Sequence, residues 1–255
     1  MSRYVNYILL GIATFSAIIL RTVMSFFIID TNSGFVRSEN LGFAIFIIIV
    51  LLFAAAVVSF FSANNTTIKI KETNNKGLFF KTASVLLGVI TILSAFVPNN
   101  LTVFQKSIET LLSLGFGAYL IATVFTKPQK DKLFDMWLIV SVVYWLVKLV
   151  NVFTVYSALS NTFDNIFEVF TISSVLFFFL FLSKSTCLEE EKKTTKGLNI
   201  TAYLSCFMAL SCSVPKAIIV LTNNQTILGE NKSFLILLLT GIYILSFIID
   251  NTKRP

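Results

Sequence analysis

Four cations stand inside runs that are otherwise apolar enough to cross a membrane: Arg21, Lys106, Lys148 and Lys216. A charge near the bilayer centre costs at least about 2.5 kcal/mol, so each of them needs a partner, water or a route to the headgroups. Counted from the middle of its run at ~1.5 Å per residue, each falls in the same half of the bilayer, roughly 5–12 Å from the midplane. One carboxylate shares that depth. It is Glu109, three residues after Lys106 and therefore on the same helix face. Asp30, Asp164, Glu168 and Glu230 are expected at the rim.

Polar neighbours line up with these charges. Tyr144, Lys148 and Asn151 follow one another at i, i+4 and i+7, so a phenol, an ammonium and an amide share one face. Arg21 and Ser25 share another, as do Lys106 (or Gln105), Glu109 and Ser113. Lipid offers such stripes no hydrogen bonds, so they face other helices or a water-filled recess. Two chemistries fit. In the first, the cations converge on an outward-opening basic cavity that takes a small anion or a lipid headgroup. Arg21, Lys148, Lys216 and Lys106 make the charge contacts, Tyr144 and Asn151 orient the ligand, and Glu109 tunes the site. In the second, the charges pair with one another for structure, dock a partner helix, or snorkel to the headgroups as lysines near helix ends do.

The elements that position these residues are eight apolar spans. They cover approximately Tyr4–Ile29, Gly42–Phe61, Thr82–Val97, Val103–Phe125, Leu133–Tyr156, Ile166–Leu182, Ile200–Leu221 and Phe234–Ile249. Phe79 and Phe80 can extend the third. The first is too long, and lacks the small-residue site, for a cleaved signal peptide. With 56% hydrophobic residues and a mean hydropathy of +0.84, the 255-residue chain has too little polar surface to be a water-soluble domain.

Loop charge orients the spans. Arg3, Lys69, Lys71, Lys76, Lys81, Lys127, Lys130, Lys132, Lys184, Lys192, Lys193, Lys196, Lys253 and Arg254 fall on one side, against only Arg37 and Lys232 on the other. The positive-inside rule then puts both termini in the cytoplasm. It also accounts for the net charge of +7 without nucleic acid.

Several chemistries are excluded or unsupported. The chain has no histidine, which removes His-based triads, metal sites and proton relays. Cys187, Cys206 and Cys212 form no CxxC and read as small apolar residues. No phosphate-binding loop, nucleophile elbow or catalytic constellation is visible, and no metal or cofactor is expected.

Internal similarity suggests a duplication. Lys76-Gly77-Leu78 precedes span three as Lys196-Gly197-Leu198 precedes span seven. Val97-Pro98 matches Val214-Pro215, and Gly117-Ala118-Tyr119 matches Gly241-Ile242-Tyr243. Arg21 then aligns with Lys148. The expectation is two parallel four-span repeats, residues 1–128 and 129–255, within one membrane domain.

Two stretches carry a resemblance. An arginine in the first span followed by Ile29-Asp30-Thr31-Asn32-Ser33-Gly34-Phe35 resembles the opening of multi-pass proteins of clostridia and related Firmicutes that have no known activity. In those a basic residue also follows a proline in a late span, as Lys216 follows Pro215 here. The resemblance implies a bacterial inner-membrane setting and no mechanism. Lysine stands where those proteins carry arginine, which weakens any bidentate role at position 216.

The expected architecture is an all-helical, eight-span integral bundle. Cysteines introduced as Asn74→Cys and Thr194→Cys should be shielded from an impermeant thiol reagent in intact cells, whereas Asn99→Cys and Ser160→Cys should react. Labelling at position 74 from outside would overturn the orientation.

Overall fold

The computed structural model describes residues 2–29, 41–65, 77–96, 103–125, 132–158, 163–187, 192–223 and 233–251. These segments form eight helices: α1 (Ser2–Val23), α2 (Leu41–Asn65), α3 (Leu78–Ala95), α4 (Val103–Phe125), α5 (Lys132–Ala158), α6 (Phe163–Cys187), α7 (Lys192–Asn223) and α8 (Ser233–Asn251). All eight are long and apolar enough to cross a membrane. The chain is thus a multi-pass, all-helical protein of the integral membrane type. Leu78 opens α3, so Phe79 and Phe80 do belong to that span. Pro98 lies outside the described residues. Pro215 sits inside α7, which runs on to Asn223 without the N–H that a proline lacks.

Six helices close a ring. From α3 to α8 each packs on the next, and α8 returns to α3. Asp250, near the end of α8, reinforces the closure by accepting the Gly77 N–H at 3.0 Å just before α3 begins. A carboxylate at that position also meets the positive end of the α3 dipole. Helices α1 and α2 lie outside the ring, mainly against α7.

Lipid tails are as apolar as leucine, so helix association here depends on close packing and interhelical hydrogen bonds. The α3–α4 crossing shows both. A Cβ at Gly88 would stand 2.8 Å from the Gly117 carbonyl oxygen, and one at Gly117 would stand 2.6 Å from Ile92. Alongside, the Ser84 hydroxyl donates to the Leu120 carbonyl at 2.8 Å. Gly241, the sequence match of Gly117, likewise meets the preceding helix, against Ala209 and Leu210. Ser205 of α7 donates to the Ser174 carbonyl of α6 at 2.6 Å. The neighbours of the matched helices differ, however: α6 packs on α7, while α2 packs on α7 and α1 rather than on α3.

Aromatic rings fill the middle of the ring. Phe116 of α4 stacks on Tyr144 of α5 at 4.7 Å and meets Phe179 of α6 edge-on at 5.3 Å. Phe179 faces Tyr243 of α8 at 6.2 Å, and Tyr243 touches Phe80 of α3 at 5.3 Å. These contacts cross the ring as well as follow it. They leave its centre a packed core.

The outer helix α1 is fixed by a seam. Leu10, Thr14, Ala17, Arg21, Met24 and Ile28 are buried at alternating steps of four and three, the 3.5-residue period of a left-handed helix pair. A five-residue π turn, Met24–Ile28, ends the helix and keeps its first and last residues on the buried face. Gly117→Val should cost about 1–3 kcal/mol by forcing α3 and α4 apart. Gly11→Ala, where an added Cβ meets nothing within 4 Å, should be neutral or stabilising by about 0.5–1 kcal/mol. Thermal unfolding in detergent micelles reads both.

Candidate functional site

The charged residues gather at one level in two ion-pair clusters. In the first, Glu109 of α4 accepts from two residues of α5. The Lys148 ammonium donates to one carboxylate oxygen at 3.0 Å, and the Asn151 amide donates to the other at 3.2 Å. The i, i+4, i+7 stripe therefore reaches a single carboxylate across one helix interface. Tyr144, its third member, lies one turn deeper beneath Phe116. Its buried hydroxyl is directed towards Ser113 but meets no hydrogen-bond partner among the described residues.

A small polar recess adjoins Glu109. Ser94 and Ala95 of α3 and Lys106, Glu109, Thr110 and Ser113 of α4 enclose about 10 Å³. That is about the space of one water molecule. Lys106 thus shares Glu109's surroundings, while Lys148 holds the carboxylate from the other side.

The second cluster joins α6, α7 and α1. Lys216 donates to Glu168 at 2.6 Å, and the Glu168 side chain is fully buried. Arg21, 1% exposed, lies with its guanidinium 4.3 Å from the centre of the Phe167 ring. Such a cation–π contact is worth more the drier its site. Glu168 is also within electrostatic reach of Lys148, so the clusters adjoin through α6.

One expectation needs correcting. The sixth apolar run begins at Ile166, which by hydropathy puts Glu168 at the rim. The helix begins at Phe163, which carries Glu168 about 8 Å along its axis and into the protein. The signal was there in Thr171 and Ser174, which follow Glu168 at i+3 and i+6 and are also buried. Arg21 and Lys148, expected on one recess, belong to different clusters. Asp30, Asp164 and Glu230 lie outside the residues whose side chains are described.

The arrangement gives Lys148 and Lys216 one carboxylate each. Both oxygens of Glu109 are engaged, and Lys216 and Glu168 are bonded directly. Comparison with protein-family models, with curated proteins and with solved structures finds no match.

Removing one partner of a buried pair strands the other charge and costs about 3–5 kcal/mol. Glu168 is fully buried whereas Glu109 borders a water-sized recess. Lys216→Met should therefore lower the unfolding temperature more than Lys148→Met. Equal losses would show that the two carboxylates are equally wetted.

Proposed function

We propose that this protein is a non-transporting membrane subunit or scaffold of the bacterial plasma membrane, with both termini cytoplasmic. Its intramembrane charges lock helix register. One observation carries the reading: Lys148 and Lys216 each bond a carboxylate on the neighbouring ring helix, above a centre filled with aromatic side chains. A polar contact between particular residues specifies which helices meet and at what height, because any slip leaves two charges unpaired in hydrocarbon. The bacterial setting is supported by the resemblance in spans one and seven, and the orientation by the fourteen-to-two distribution of loop cations.

A second reading is favoured by the recess. Lys106 lines it beside a carboxylate already occupied by Lys148 and Asn151, so the local charge sums to one positive unit. A monatomic anion entering from the outer side would balance it. The 10 Å³ volume suits a monatomic anion better than the larger anionic solutes and headgroups that the sequence allows.

A double-mutant cycle separates the two. The scaffold reading expects Lys148→Met to destabilise the protein and Glu109→Gln to restore most of the loss in the double variant. The unfolding temperature should be the same in chloride and in gluconate. A chloride-dependent rise that Lys106→Gln abolishes would overturn the scaffold reading in favour of anion recognition.

A further inference from the structure

A second hollow lies away from the charges, between the two helices outside the ring. It is a trough of about 510 Å³ running along α1 from Val5 to Leu20. Its floor is made by small residues, Ala13 of α1 and Ala54 of α2 among them, and its flanks by Ile12 and Phe53. Those two flanking side chains stand 63% and 70% exposed, so the trough opens sideways to the lipid. The lining is apolar except for Ser16. A stable water needs two to four polar partners, so water is not the natural occupant.

The dimensions choose among apolar occupants. The fifteen steps from Val5 to Leu20 of α1 span about 22 Å. Along α2 the lining runs only from Val50 to Val57, about 10 Å, so the volume gives a section roughly 5–8 Å across. A partner helix needs about 10 Å. A hydrocarbon chain, whose carbons approach their neighbours at about 4 Å, fits. The trough reaches the membrane face on which α1 begins and stops one residue short of the buried Arg21. On that same face the sequence places fourteen of the sixteen loop and terminal cations.

We propose that the trough is a binding site for one acyl chain of an anionic phospholipid, entering from the leaflet on the N-terminal side. The chain lies between α1 and α2 and ends below Arg21. The cationic face selects the headgroup. The site does not depend on the ion pairs, so it stands apart from the function proposed above.

The test uses the whole protein purified from bilayers of mixed phosphatidylglycerol and phosphatidylcholine. Native mass spectrometry should find one phosphatidylglycerol retained per chain. Ala13→Phe and Ala54→Phe fill the trough and should lower retention by about tenfold, the effect of displacing about two methylene groups. Ala56→Phe, on the same helix but outside the trough, should not. A phosphatidylglycerol with a diazirine near the chain end should label the peptides of α1 and α2 in the unmodified protein, independently of any variant's folding. Labelling confined to other helices, or undiminished retention in both filled variants, would overturn the site. Equal retention of phosphatidylcholine would overturn the headgroup assignment. A dimer that excludes lipid would show a second copy seated there instead.

Discussion

The hydrogen-bonded contact of Lys148 and Asn151 with Glu109 fixes the height at which α5 meets α4. In water such a bond competes with solvent and selects little. In hydrocarbon the alternative is an uncompensated charge, so a slip of one turn is expensive. The Lys216–Glu168 bond does the same for α7 and α6. With α4 held against α5 and α6 against α7 by these pairs, the aromatic side chains below them complete the alignment across α5 and α6. Phe116 can face both Tyr144 and Phe179 only if α4, α5 and α6 stand at the heights seen here.

Packing and charge then divide the work between the two halves of the ring. On the α4–α7 side, ion pairs specify register and large aromatic rings fill the interior. On the α3–α4 and α7–α8 contacts, glycines bring backbones close and hydroxyl or thiol groups bond carbonyls across the gap, as Ser84 does to Leu120 and Cys206 to Gly241. Close approach multiplies van der Waals contacts, which is the available source of attraction where there is no water to expel.

Much of this was legible in the sequence, for identifiable reasons. The eight spans follow from apolar run length against bilayer thickness. The convergence of Lys148, Asn151 and Glu109 follows from helical spacing, because polar groups in lipid must face inward. Hydropathy puts Glu168 at the rim, yet α6 begins at Phe163 and buries it, because a helix need not start where its apolar run does. The ring order was not legible at all. In a soluble helix the buried face is the apolar one, but α2 is apolar on every face, so it does not show which side meets protein. The position of α1 and α2 outside the ring comes from shape complementarity that no single-residue pattern encodes.

That external position gives Arg21 a different meaning from the lysines. Lys148 and Lys216 join helices of the ring, whereas Arg21 rides on a helix that the ring does not need for closure. Its guanidinium on Phe167 therefore ties α1 to α6, next to the carboxylate that holds α7. Arginine suits this task better than lysine, since a planar, weakly hydrated cation can lie on an aromatic face and still donate around its edge. The polar anchor sits at one end of the α1 seam, and Thr14 and Asn6 are buried farther along. On the face of α1 turned towards α2, small residues replace them and the trough opens. One helix thus carries a polar contact that fixes it to the ring beside a smooth apolar surface that faces α2 and the lipid.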